Sequence, residues 1–319
     1  VGIATARHGG AFVPGGLDVA GALAAVEAGE PLDVLHDRRT GLPPADGLDL
    51  IARQARCASD PHAPRVVVET TLLDVRRGQP AIDHVRAGLG SDAHVITTNK
   101  GPVALAYREL RALAEAHGRA FLFEGAVMDG IPIFNLVHHT LPALSILGFR
   151  GVVNSTTNHI LTAMEDGQAF EAALAAMQAS GIAEADASLD VEGWDAAAKT
   201  AALVNVLMDG DLTPQLVDRT GIDPRTATAV RAAAARGQRV RLVAEAARRG
   251  TGIEAKVGPV ALPATDLLAG LRGQANALIV RTDLLGELAI VQLGGSLTET
   301  AYALVSDLVE VRRRLRAPV

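Results

Sequence analysis

The stretch PRVVVETTLLDVRRGQPAIDHVRAGLGSDAHVITTNKGP, residues 64–102, sets the architecture. PRVVVETT at 64–71 is a β-branched run without polar alternation, which predicts a strand buried on both faces. GQPAIDHVRAGLG at 78–90 has helical spacing, and AHVITTNKGP at 93–102 reads as a second strand entering a polar turn. Apolar strands alternating with helices predict a parallel sheet covered on both sides, an α/β arrangement. Such sheets bind ligands at the carboxyl ends of their strands, and those ends here read ETT and TTNKGP.

Upstream, VGIAT at 1–5 reads as a strand and GLDVAGALAAVEAG at 16–29 as a helix. Downstream, GPVALAYRELRALAEAHG at 101–118 predicts one periodic helix closed by a glycine. The pattern then changes. AFLFEGAV, ALSILGFRGVVN, IEAKVGPVAL, NALIVRTDLL and ELAIVQLGG predict the strands of a second sheet. Helices predicted at 131–142, 158–179, 195–208 and 226–247 would cover it, and a last helix follows Gly294–Gly295.

Composition narrows the function. The 319 residues are 49% hydrophobic, enough for a large core, with a formal net charge of −6. No basic stripe is present and aromatics make up 3%, which argues against nucleic acid as a partner. No apolar run is long enough to span a bilayer and no signal peptide is apparent, so a cytoplasmic location is expected, without a membrane partner. A single cysteine, Cys57, excludes an intramolecular disulfide and a multi-cysteine metal site. His138 and His139 are adjacent in a predicted helix and point to different sides, so they do not read as a metal pair. The chain begins at Val1 rather than Met, which raises the expectation that it starts inside a longer product.

The chemistry-bearing positions stand out by residue type. Of 30 basic residues only Lys100, Lys199 and Lys256 are lysines. Arginine is a permanent cation, whereas lysine can exchange a proton when its surroundings tune it. Lys199, Leu203 and Val206 share one helix face, with Asp195 one turn before the lysine. An Asp/Lys pair at this spacing is either a surface ion pair or a costlier buried one. Glu184, Asp186 and Asp190 lie just upstream, either as a solvated acidic loop or as a pocket for an ammonium group. VVNSTTNHIL at 152–161 runs from a strand through Asn154, Ser155, Thr156, Thr157 and Asn158 into a helix. Hydroxyls and free amides at a helix N-terminus either cap the helix or hold a carboxylate. In FEGAVMDGIPI, at 123–133, glycines and Pro132 mark a sharp loop whose carbonyls could meet a hard cation.

In order along the chain, VITTNKGPVALAY, FEGAVMDGIPI, NSTTNHIL and GIAEADASLDVEGWDAAAK resemble the motifs of homoserine dehydrogenases. The resemblance runs from about residue 64 to the C-terminus and points to a short form without a regulatory ACT domain. It implies a Rossmann-type parallel-sheet domain, its first strand missing, at 1–125 with 296–319 returning to it. It implies an α+β substrate and dimerisation domain at 126–295. The reaction implied is NAD(P)-dependent interconversion of L-homoserine and L-aspartate 4-semialdehyde by a homodimer. Lys199 would be the acid/base, with Lys100 between cofactor and substrate. Glu184, Asp195 and Asp190 would hold the substrate with Ser155 and Thr156. Thr71, Gly181 and Gly294 would line the cofactor. Glu124 with the backbone of Val127, Asp129 and Ile131 would hold a sodium-like ion.

The departures are local. Ile182 replaces a tyrosine, Ser155 a glycine, Ala187 a proline, and Met128–Asp129 alters the cation loop. No G-x-G-x-x-G is present to carry the cofactor pyrophosphate. Arg7, after VGIAT, stands where a cation would suit the 2′-phosphate of NADP. Two alternatives remain at this point: a homologue that binds an amino acid or partner without the dinucleotide, and an oxidoreductase acting on a different amino-acid aldehyde.

Overall fold

The computed structural model describes residues 1–44, 46–57, 63–179 and 187–316. β3 (Val66–Glu69), β4 (His94–Thr97) and β5 (Phe121–Leu122) form the expected parallel sheet, with Glu69 opposite Thr97 in register. α3 (Ala81–Gly90) connects the first two strands and buries Val85 and Leu89 in one core with Val95 of β4. Gly88 permits this close approach, since a Cβ there would lie 2.8 Å from Val95 Cγ2.

Before this sheet, β1 (Gly2–Thr5) and β2 (Gly9–Phe12) pair antiparallel as a separate two-stranded sheet. The sequence pattern places the strand at 1–5 in the parallel sheet. Instead Gly9, at φ 66, turns the chain back at once, and Arg7 sits in that turn. α1 (Val19–Glu27) and α2 (Gly47–Cys57) follow, and α2 packs on α3 and β1. The helix predicted over 101–118 is two, α4 (Lys100–Leu105) and α5 (Tyr107–Ala116), broken where Ala106 leaves helical geometry at φ −143. AFLFEGAV does not join the second sheet as expected. Only Phe121–Leu122 is extended, it pairs with β4, and Glu124–Ala126 closes into a 3₁₀ turn.

The second sheet has six strands in the order β11-β10-β6-β8-β9-β7: β6 (Ile146–Val152), β7 (Asp218–Arg219), β8 (Gln238–Arg249), β9 (Gly252–Pro263), β10 (Asn276–Thr282) and β11 (Glu287–Gln292). All pairs are antiparallel except β7 with β9. The helices of this region are α6 (Ile133–Thr140), α7 (Ser155–Glu165), α8 (Phe170–Ala179), α9 (Ser188–Val191), α10 (Trp194–Leu207) and α11 (Thr226–Ala234). The predicted helix at 158–179 is divided into α7 and α8 near Gly167, at φ 92. The predicted helix at 226–247 ends at Ala234, and its second half is β8, the centre of the sheet. Alanine and arginine favour a helix there, but pairing on both sides with β6 and β9 overrides that preference.

Two packing events join the regions. α12 (Leu297–Arg316) returns to pack on β4 and on the Glu124–Ala126 turn. α10, alanine-rich and buried on most sides, lies against α4, and Asn205 Nδ2 ties them by donating to Val103 O at 3.1 Å and Leu212 O at 2.9 Å.

Candidate active site

The α4–α10 contact brings two of the three lysines to one carboxylate. Asp195, in the first turn of α10, faces Lys199 Nζ at 3.0 Å through Oδ2 and Lys100 Nζ at 3.2 Å through Oδ1. Lys100 is the first residue of α4, whose N-cap Asn99 accepts from the Gly101 N–H at 2.8 Å. Lys199 also donates to Val153 O, at the end of β6, at 2.6 Å. An ammonium has three protons, so these two partners leave one for a bound molecule.

Asn154 completes the cluster. Its Nδ2 donates to Asp190 Oδ1 at 2.7 Å and Asp195 Oδ2 at 2.9 Å, while its Oδ1 caps the Thr157 N–H of α7 at 2.8 Å. Thr156 lies beside Asp190 and favours its charged form. Ser155 stands beside this cluster, its Oγ accepting from Asn276 Nδ2 at 2.8 Å.

Electrostatics sets the charge states. Burial would raise the Asp195 carboxyl, but Lys199 and Lys100 outweigh it and hold the group well below the usual carboxylate range. Burial would depress Lys199, yet the charges of Asp195, Asp129 and Asp190 hold it above the usual lysine range. Asp190 is pushed up, first by burial and then by the Asp195 charge. The Asp/Lys pair read from helical spacing is therefore the buried alternative, with each side chain 14% exposed.

A second polar group lies at the carboxyl ends of β3 and β4. Glu69 is buried and accepts from the Thr71 N–H at 2.8 Å, from the Thr71 hydroxyl, and from the Thr97 hydroxyl at 2.9 Å. Burial would raise its carboxyl, but His84 and these donors pull it down. Asn99 Nδ2 donates to Thr71 O at 2.7 Å, which connects this group to the start of α4 and so to Lys100.

The Glu124 carboxylate crosses the start of α6, accepting from Phe134 and Asn135 N–H groups at 2.8 Å each. Burial, with the nearby Asp307 charge, pushes it up to about 7. Asp129 holds a left-handed backbone at φ 48 and accepts from Gln292 Nε2 at 3.2 Å and Thr300 Oγ1 at 3.3 Å. Its side chain thus ties this loop to the segment bearing Gly294, whereas the sequence suggested a role for its backbone. Among the described residues no group of three or more His, Cys, Asp and Glu side chains gathers as a metal site. A cation here would rest on Glu124 and the carbonyls of Val127, Asp129 and Ile131. A buried carboxylate without an ion-pair partner among the described residues suits that donor set.

The structure thus brings together Lys199, Lys100, Asp195, Asp190 and Thr156, with Ser155 adjacent and Thr71 one hydrogen-bonded step away. Gly294 has open space around its Cα, and Arg7 is exposed in the β1–β2 turn. Gly181 and Glu184, with Ile182 and Asp186, lie outside the described residues. Glu69 and Asn99 were read only as part of the polar strand ends ETT and TTNKGP, without roles of their own, and Asn276 went unnoticed in the sequence.

Residues 132–309, which include Asp190, Asp195 and Lys199, match the sequence model of homoserine dehydrogenase. This chain belongs to the homoserine dehydrogenase family. An NAD(+)-dependent homoserine dehydrogenase of Pseudomonas canavaninivorans is 39% identical over 249 residues, 78% of this chain and 71% of that protein. A homoserine dehydrogenase of Methanocaldococcus jannaschii is 38% identical over 247 residues, 77% of this chain and 72% of its own length. The solved homoserine dehydrogenase of Thiobacillus denitrificans superposes with a TM-score of 0.77 at 31% identity, covering 94% of this chain and 66% of that one. Membership carries with it an oxidoreductase chemistry and the mixed α/β fold described above.

Proposed function

We propose that this chain catalyses the NAD(P)-dependent interconversion of L-homoserine and L-aspartate 4-semialdehyde, a step of threonine, methionine and isoleucine biosynthesis. The observation that carries the reading is the buried Lys199, held by Asp195 and Val153 O with one proton uncommitted. When bound, the dinucleotide supplies or accepts the hydride. Everything else falls to the chain. Lys199 gives its free proton to the substrate oxygen as an alkoxide forms, and takes it back in the oxidation. Asp195 keeps the ammonium charged and aimed. Asp190 and Asp195 form the acidic side of the pocket that receives the substrate ammonium, a role the family resemblance extends to Glu184, and Ser155 and Thr156 border the carboxylate at the start of α7. Lys100 lies between this pocket and Thr71, which with Gly294 faces the nicotinamide, a role the family resemblance extends to Gly181.

In this reading residues 1–125 and 296–319 handle the dinucleotide and 126–295 the substrate. Glu124 with the carbonyls of Val127, Asp129 and Ile131 holds a sodium-like ion. The protein acts as a cytoplasmic homodimer. No described helix is long and apolar enough to cross a membrane. β1 lies outside the parallel sheet, so the preference for NADP rests on the charge of exposed Arg7 alone, a cation suited to a 2′-phosphate. The measurement is the ratio of kcat/KM for the two dinucleotides. A ratio above one that drops on Arg7→Ala is expected, and a higher value with NAD rejects the preference.

The decisive experiment is Lys199→Arg. Arginine keeps the charge but gives up no proton at any working pH. General acid–base catalysis is worth about 10²–10⁴-fold, so kcat for homoserine oxidation should fall at least about a hundredfold. Circular dichroism should show the fold unchanged. A rate within about threefold of the parent rules out proton transfer by Lys199.

A further inference from the structure

Three hydroxyls stand in the first turn of α7, and their hydrogen bonds assign them different roles. Thr157 Oγ1 turns inward to Asn154 Oδ1 at 2.8 Å. Thr156 lies on the acidic side, beside the Asp190 carboxylate, whose charged form it favours. Ser155 differs: its Oγ receives a proton from Asn276 Nδ2 at 2.8 Å. A hydroxyl that accepts on one lone pair from an amide keeps its own proton to donate elsewhere. Asn154 caps the Thr157 N–H, and among the described residues no side chain caps the N–H groups of Ser155 and Thr156. The start of α7 therefore presents two backbone donors, the positive end of the helix and the Ser155 hydroxyl proton.

Asn276 is the independent sign that this end of the helix is a built site. It is 2% exposed, on β10, and its Oδ1 has no partner among the described residues. Its Nδ2 is spent on Ser155. A buried amide with an unpaired oxygen costs stability, and its service here is to fix the polarity of the Ser155 hydroxyl.

We propose that Ser155 donates its hydroxyl proton to the substrate's carboxylate, and that Asn276 is the positioning residue that sets it in that polarity. This rests on the amino-acid-substrate reading above. The serine thereby selects an amino acid with a free carboxylate over its neutral amide.

The chain's one tryptophan, Trp194, neighbours Asp195 and allows binding to be followed by fluorescence without dinucleotide. The parent, Ser155→Ala and Asn276→Asp are titrated with L-homoserine and with L-homoserine amide, calorimetry serving as a second readout. A hydrogen bond to a charged group is worth roughly a tenfold or greater change in affinity. Ser155→Ala should weaken homoserine about tenfold and leave the amide within about twofold. Asn276→Asp replaces the donor by an acceptor, draws the Ser155 proton inward and should reproduce the selective loss. Because amide oxygen and nitrogen are assigned from the network, this variant also tests the assignment. If the Asp variant does not fold, Ser155→Ala alone decides. Equal weakening of both ligands by Ser155→Ala, or no weakening, overturns the inference while the activity reading stands. A silent Asn276→Asp removes Asn276 from it. A parent that binds neither ligand overturns the activity reading, and this inference with it.

Discussion

The two sheets of this molecule solve different problems. In the three-stranded parallel sheet, β3 pairs on one side with β4, and Val68 at its centre is 47% exposed. In the six-stranded sheet, β10 is paired on both sides, and Val280 is 3% exposed. The first sheet contributes polar strand ends, Glu69, Thr97 and Asn99, that orient loops. The second contributes a packed base on which α7 and α10 are fixed. The proposed catalytic pair takes one residue from each. Lys100 comes from the first region and Lys199 from the second, and they meet at Asp195.

Removing that meeting point should have the largest effect. Asp195→Asn keeps the size but leaves two buried ammonium groups facing each other. We expect kcat to fall roughly a hundredfold or more, within the range for acid–base groups. A parent-like kcat with an unchanged near-ultraviolet spectrum would break the idea that the regions cooperate through this carboxylate.

The next effect concerns the seam where α12 returns to the first sheet. Glu124 is pushed up to about 7 by burial and the Asp307 charge. Asp307 is pushed up to about 6 by burial and the Glu310 charge. Their folded-state values exceed the unfolded ones, so the folded state holds protons that the unfolded chain has released. This contribution is complete below about pH 4 and is lost as pH rises to about 7. For Glu124 the loss should be on the order of 3 kcal/mol. Denaturant midpoints measured from pH 5 to 8 should fall less steeply in Glu124→Gln than in the parent. Added sodium should flatten the parent's slope if a cation shares Glu124. Identical slopes in parent and variant would reject a raised Glu124.

The smallest pair of effects measures the contrast between the sheets directly. Val280→Ala should cost about 2 kcal/mol, from lost transfer energy and a cavity. Val68→Ala should stay within about 0.5 kcal/mol. Equal costs in urea melts would mean that β3 is as well buried in solution as β10.

Much of this was written locally in the chain. The βαβ order at 64–102, the helices opening at Val19 and Trp194, and the strand before Asn154 follow from periodicity and turn residues, which act over a few positions. Local preference misled at 226–247, where an alanine- and arginine-rich run reads as helix but is extended by pairing with strands distant in sequence. It also misled at 1–5, where the strand itself was visible but its partner was not.

The buried Asp195–Lys199 pair, on which the proposed acid/base rests, could be singled out from residue type and spacing alone, because the two lie one turn apart on one helix. That Lys100 grips the same carboxylate, that Glu69 gathers the Thr97 hydroxyl beside Thr71, and that Asn276 orients Ser155 could not. Each of these contacts joins different elements of the fold, and two of them span about a hundred residues of chain. They exist because alanines let α10 approach α4, because β3 and β4 align Glu69 with Thr97, and because β10 pairs with β6 beside the start of α7. Composition and periodicity carry the first kind of information; close packing between distant segments creates the second.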